Sequence, residues 1–211
     1  MEEAVYHDAP VHRREFAVKR VFDSVVALVL LIILLPVALL VAVVIRLESP
    51  GPVLVSAHRV GRHGRLLKLR EFRAAVVEPG SMETIGGCEG EQPTRVGAFL
   101  RRHGIERWPW LITVLKGDLS MVGPRAELPR YVGCYPSEVR KKVLSVKPGL
   151  VDLSSLEMRE EQRLLQGLDG EALEEAYVEQ VLPIRLAHAQ RYIDTKSVGT
   201  DLSILLKSLF R

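Results

Sequence analysis

The sequence predicts a helix-rich α/β domain carried on a membrane-embedded N-terminal helix. Three observations predict it: an uncharged apolar run from Ser24 to Ile45, two short β-type runs after it joined by a basic Gly-containing loop, and helical spacing over much of the remainder. With 211 residues, 47% hydrophobic and 26% charged, the chain is long enough for one core and too apolar to be disordered. A net charge of +3 makes no demand for nucleic acid, and no recognition motif accompanies the basic residues. Two cysteines, Cys88 and Cys134, are too few for a disulfide framework or a Cys-rich zinc site, and fit a reducing compartment.

Residues 1–18 read as a polar lead-in, 19–47 as the membrane helix, and 48–211 as the remaining domain. The helix starts at Lys19-Arg20-Val21-Phe22-Asp23, where Arg20 and Asp23 lie one turn apart and are expected to pair. About 20 apolar residues cross a bilayer, and the run from Ser24 to Ile45 has that length. A cleaved signal is disfavoured by the length of the run and the acidic residues before it; a buried core helix would show a polar stripe. Basic residues flank both ends: Arg13, Arg14, Lys19 and Arg20 before, Arg46, Arg59, Arg62 and Arg65 after. The positive-inside rule therefore gives no clean orientation. A segment that enters the bilayer, bends at Pro36 and leaves by the same face removes the conflict, whereas a lone proline is also compatible with a spanning helix.

Ser49-Pro50-Gly51-Pro52 is a turn. Val53 to Ser56 and Leu66 to Phe72 read as strands around the loop Arg59 to Gly64. Glu78 to Pro93, rich in Gly and acids, reads as an exposed loop. Val96 to Leu115 has helical spacing broken near Trp108-Pro109-Trp110, and Lys116-Gly117-Asp118 stops it. Asp169 to Arg191 reads as helical with Pro183 breaking it, and Asp201 to Phe210 as an amphipathic helix on the membrane surface.

Charge is segregated along the chain. Arg46 to Arg73 holds seven basic residues against two acidic, Arg95 to Lys147 eleven against four, and Asp152 to Gln180 two against nine. Basic stretches beside a membrane segment suit anionic headgroups, and arginine forks suit phosphate oxygens. A solvated positive face is the plainer alternative. His58, His63 and His103 lack metal-ligand spacing.

Residues 99–125 read FLRRHGIERWPWLITVLKGDLSMVGPR. This stretch closely resembles the bacterial sugar transferases, small monotopic phosphoglycosyl transferases, and VLKGDxSxVGPR is its specific part. KRVFD at 19–23, SPGPV at 49–53, RVG at 59–61, K-L-x-x-F-R at 68–73 and V-K-P-G at 146–149 extend the likeness over nearly the whole chain. The resemblance implies a re-entrant helix bent at proline and a globular part on the cytoplasmic face of the bacterial inner membrane. It implies transfer of a sugar-1-phosphate from a nucleoside diphosphate sugar to polyprenol phosphate, at the start of exopolysaccharide, O-antigen or glycoprotein glycan assembly.

The family's catalytic Asp-Glu pair falls on Glu106-Arg107. By resemblance Glu106 is the catalytic carboxylate, nucleophile or metal ligand, with Arg107 beside it. Mg²⁺ is the implied cofactor, although a guanidinium in place of the second acid cannot ligate it. Arg101 and Arg125 match phosphate-contacting arginines, and Arg73 and Lys116 are further substrate-binding candidates. Asp118 suits a turn role, and Trp108 and Trp110 suit either the interface or packing. The alternative to an active enzyme is a catalytically silent member that binds lipid, nucleotide or an active paralogue and regulates assembly, as a homo- or hetero-oligomer.

Overall fold

A computed structural model describes residues 10–76, 83–84, 87–88, 92–157, 164–165, 167–168 and 170–209. The chain opens with a 39-residue helix, α1 (Pro10–Glu48), which starts inside the stretch read as lead-in and continues through Pro36. Its outer face exposes Val25, Ile32, Ile33, Leu40 and Val43, while its inner face packs on the domain between Val26 and Ile45. On the first half, Ala27 joins the core around Trp110, Leu111, Val114, Leu119 and Met121, with Val26, Leu30 and Leu34 against it. Beyond Pro36, Ile45 packs with Phe72 and Leu100, flanked by Ala38, Val41 and Ala42.

Charged side chains fasten both ends of α1. Arg20 donates to the carbonyls of Val114 and Leu115, at 2.5 Å each, near a helix end that leaves such acceptors open. Asp23 accepts from Ser120 Oγ at 2.8 Å and Met121 N at 3.2 Å. The Arg20–Asp23 pair expected from spacing is thus replaced: each side chain finds a partner across the domain, where burial strengthens the bond. Lys19 instead pairs with Asp23 at 3.7 Å and with the fully buried Asp201. At the other end Glu48 accepts from Val96 N at 3.1 Å.

Two antiparallel strands follow, β1 (Leu54–Val60) and β2 (Leu66–Phe72), in register from Leu54 opposite Phe72 to Val60 opposite Leu66. The first runs four residues beyond the expected Ser56, because its pairing continues to the 3₁₀ turn Arg62–Gly64. Within the stretch read as a loop, Glu78 to Pro93, β4 (Glu83–Thr84) pairs with β5 (Gly87–Cys88), and β6 (Gln92–Pro93) pairs with β3 (Ala75–Val76) just before it. Residues 77–82, 85–86 and 89–91 lie outside the described residues.

Next come α2 (Arg95–His103), a 3₁₀ turn (Ile105–Arg107) and α3 (Trp110–Lys116), matching the expected break before Trp110. A parallel pair then forms the floor of the domain: β7 (Ser120–Val122) lies against β8 (Gly149–Val151), with α4 (Pro129–Gly133) and α5 (Ser137–Leu144) between them in sequence. A Cβ on Gly123 would sit 2.7 Å from Lys147 O, and one on Gly149 2.1 Å from Gly123 N. The glycines of V-G-P-R and V-K-P-G therefore permit one close backbone crossing.

The chain ends with α6 (Leu153–Glu157), α7 (Gly170–Ala176), a π-helical turn (Tyr177–Val181), α8 (Leu182–Thr195) and α9 (Val198–Leu209). Pro183 does not break the helix as expected; the helical chain continues from Gly170 through the π-helical turn into α8, and the π-turn falls just before Pro183, where a proline removes a backbone donor. Within α9, Asp201 and Ile204 face the core while Leu202 and Leu206 are exposed, so its apolar residues divide between packing and an outward stripe.

Candidate functional site

Glu106 sits on the short 3₁₀ turn between α2 and α3, only 7% exposed. Its Oε1 lies 3.2 Å from Arg107 Nε, while its Oε2 is buried without a hydrogen-bond partner. Burial raises its pKa above the ordinary carboxylate value, against the opposing charges of Arg107 and Arg101. Burial and the Arg125 cation press the Arg107 guanidinium downwards, while Glu106, Glu71 and Asp152 favour its charged form. The Arg107 guanidinium lies 5.6 Å from the centre of the Trp110 ring.

Arg107, Arg59, Arg125, Trp110 and Asp152 line a small cavity of about 20 Å³, closed below by Gly149 and Leu150. That volume admits one oxygen-sized group. Trp110 is 4% exposed and its Nε1–H is buried without an acceptor. Asp152 accepts from Ser155 N at 2.8 Å and from the Ser154 and Ser155 hydroxyls. Burial alone would raise its pKa, but the Arg125 charge and these hydrogen bonds outweigh it and hold the carboxyl below its ordinary value.

Arg125 is positioned from behind. Its Nε lies 3.4 Å from Glu127 Oε1, which also accepts from Tyr177 Oη at 2.8 Å and Arg185 Nη1 at 2.9 Å. A larger cavity of about 400 Å³ opens on the other border of the β7–β8 pair, beside the start of α1. Its walls include Val18, Val122, Val146 and Val198, with Lys19, Arg20, Arg62 and Lys147 among them. Burial and the nearby Arg20 charge lower the pKa of Lys147. Apolar walls with clustered cations suit an amphiphile with an anionic head.

The structure thus gathers Glu106, Arg107 and Arg125, with Arg101 within electrostatic reach of Glu106. Arg73 is a correction. It is buried, and its guanidinium donates to the carbonyls of Pro50 and Ser49 and to Ser49 Oγ at 2.5, 2.7 and 2.9 Å. It joins β2 to the turn after α1 rather than presenting itself to a phosphate. Lys116 ends α3 on the surface and lines neither cavity. Asp118 lies 3.7 Å from Arg65, which suits the turn role. Sequence reasoning missed Asp152 and Arg59, and left Trp110 without a role; the D-x-S-S spacing after V-K-P-G was the available signal for a held carboxylate.

A metal ligand role for Glu106 has little support from the side chains around it. Among the described residues no three His, Cys, Asp or Glu side chains are grouped to hold a metal ion. The Arg107 guanidinium takes the place beside Glu106 where a second acidic ligand would be needed.

Residues 14–211 match the sequence profile described as bacterial sugar transferase. A UDP-glucose:undecaprenyl-phosphate glucose-1-phosphate transferase of Caulobacter vibrioides is 33% identical over 198 residues, covering 90% of this chain and 68% of the relative. The Escherichia coli protein of the same name is 29% identical over 208 residues, covering 97% and 42%. The exopolysaccharide production protein PSS of Rhizobium leguminosarum is 37% identical over 113 residues, covering 53% and 56%.

Proposed function

The chain belongs to the bacterial sugar transferase family, and from that premise we propose that it moves a sugar-1-phosphate from a UDP-sugar to undecaprenyl phosphate or a similar polyprenol phosphate, committing the sugar to membrane-bound glycan assembly. The observation that carries the reading is Glu106 Oε2, a buried carboxylate oxygen without a partner, held beside Arg107 and within reach of Arg101. In the reaction this oxygen attacks the sugar-bearing phosphorus. The bond from that phosphorus to the bridging oxygen breaks, and the electron pair leaves with uridine monophosphate. A phosphate oxygen of the polyprenol phosphate then attacks the same phosphorus, freeing the Glu106 carboxylate and yielding polyprenol diphosphate sugar. Charge developing on the non-bridging oxygens is met by Arg107 and Arg125, whose positions are fixed before the substrate arrives. No step in the transfer is routed through Mg²⁺, since Arg107 stands beside Glu106 where a second acidic ligand would be needed.

The lipid acceptor fits the larger cavity, with its apolar walls and the Arg20, Arg62 and Lys147 cations. A monotopic placement on the cytoplasmic face is supported by α1. A spanning helix carries its two ends to opposite sides of the bilayer. Here Asp23 holds Ser120 and Met121 at one end, and Glu48 holds α2 at the other, all within one polar domain. A cysteine introduced by Val5→Cys, in a background lacking Cys88 and Cys134, is expected to stay unlabelled by an impermeant maleimide in intact cells; labelling from outside defeats the same-side topology.

A catalytically silent reading is favoured by one observation, the ion pair that Arg107 makes with Glu106. Purified protein in lipid nanodiscs, given undecaprenyl phosphate and a panel of UDP-sugars, is expected to release uridine monophosphate only when lipid and one matching donor are both present. Protein that binds UDP but releases the monophosphate from no donor in the panel is the silent member.

A further inference from the structure

The small cavity lined by Arg107, the neighbour of Glu106, contains a group that the transfer reaction leaves unused. Trp110 is almost wholly buried, yet its Nε1–H has no acceptor. A buried donor left without an acceptor is costly, so the site is built for a ligand atom that accepts from it. Around the same cavity stand the guanidinium groups of Arg59, Arg107 and Arg125. Three cations and one neutral donor outnumber the single Asp152 carboxylate of the lining, and in a space the size of one oxygen they define an acceptor that is anionic and small at its tip. Arg59 donates one N–H to His58 O at 2.9 Å, and Glu127 Oε1 stands 3.4 Å from Arg125 Nε on the other side.

We propose that Arg59, Arg107, Arg125 and Trp110 Nε1–H form a resident oxyanion site that grips the diphosphate of the nucleotide donor without a divalent cation, Arg107 standing where a metal would otherwise neutralise the phosphates. This rests on the transferase reading for the identity of the ligand, a nucleoside diphosphate. Arg107 fits the part geometrically: its guanidinium is 3.2 Å from the Glu106 carboxylate and 5.6 Å from the Trp110 ring centre, which join the attacking oxygen and the cavity through one side chain. A guanidinium also presents its donors in a fixed fork that matches paired phosphoryl oxygens.

Binding of UDP to the full chain in nanodiscs, measured by calorimetry with EDTA and again with Mg²⁺, tests this without any turnover. The dissociation constants are expected to agree within about twofold, since the cations are supplied by the chain. Trp110→Phe keeps the packed ring and removes the N–H. It is expected to weaken UDP binding in EDTA about tenfold, and Arg107→Ala about 10- to 100-fold, as for hydrogen bonds to charged groups. Inorganic pyrophosphate is expected to compete with UDP in EDTA. Loss of wild-type binding on chelation overturns the proposal, as does wild-type affinity in a Trp110→Phe protein of unchanged melting temperature, or failure of pyrophosphate to compete. Trp110→Phe decides the matter should Arg107→Ala not fold. The two readings fail separately: UDP binding in EDTA without any turnover keeps the oxyanion site and removes the transferase, whereas turnover with binding that requires Mg²⁺ does the reverse.

Discussion

Glu106→Gln is expected to lower turnover at least about 10³-fold, because the amide cannot form the acyl phosphate proposed to link the two half-reactions. With a UDP-sugar radiolabelled in the sugar and no lipid acceptor, the native protein should retain label on residue 106 and the variant should retain none. An unlabelled native protein that still turns over removes the covalent step. The same carboxyl sets a pH dependence. Burial raises its pKa, so the acid limb of kcat/KM should fall at a higher pH than an ordinary glutamate would give. Arg107→Ala removes a charge that opposes the rise, and should move the limb higher still. The sign for stability follows from the same shift. A carboxyl raised in the folded state adds stability that is complete below its unfolded pKa and is lost as pH rises through the folded one. Glu106→Gln should therefore raise the melting temperature at neutral pH and not at pH values where Glu106 is protonated. Loss of turnover joined to a gain in stability is the signature of a site held at a cost to the fold; a variant less stable at neutral pH contradicts the buried, unpartnered Oε2.

The parts of this fold that were legible in sequence are those with a local cause. The apolar run made α1, period-two alternation made β2 to the residue, and the turn chemistry before Trp110 separated α2 from α3. What was illegible depends on partners distant in sequence. Arg20 and Asp23 are three residues apart on one helix, yet their partners lie about a hundred positions away, at Val114 and Ser120. Arg73 matched a family arginine and became a clasp for the end of α1, because carbonyl oxygens at that helix end leave acceptors that spacing does not reveal. Pro183 reads as a breaker, yet the helix passes through it, with a π-helical turn at Tyr177–Val181 in place of a break. At the candidate site, motif matching picked out Glu106, Arg107 and Arg125, which the fold brings near one another. It did not find Asp152 or the open Nε1–H of Trp110, whose importance comes from the cavity they share.

Glu127→Ala is expected to be the most damaging single change away from the reacting atoms. Glu127 is 7% exposed, and its Oε1 receives Tyr177 Oη at 2.8 Å, Arg185 Nη1 at 2.9 Å and Arg125 Nε at 3.4 Å. Tyr177 and Arg185 are themselves buried, and the Tyr177 hydroxyl also receives Arg185 at 3.1 Å. The Glu127 carbonyl accepts from Val60 N at 2.9 Å, so one residue ties the end of β1 to the π-helical turn and α8. Removing the carboxylate takes from the buried Arg185 its partner at 2.9 Å, and breaking a buried pair in this way costs about 3–5 kcal/mol. For a chain of this size that corresponds to a fall of roughly 6–20 °C in melting temperature. Replacing both charges, as in Glu127→Gln with Arg185→Met, should cost less than Glu127→Ala alone, because neither ion is then stranded. Because Glu127 also orients Arg125, the Gln variant should raise KM for the UDP-sugar while its adduct, once formed, transfers to lipid at close to the native rate. Thermal melting of the three proteins in the same nanodiscs checks the order. A Glu127→Ala protein within about 1 kcal/mol of native stability would mean that water reaches Arg185, and the buried cluster would then have to be redrawn as a solvated one.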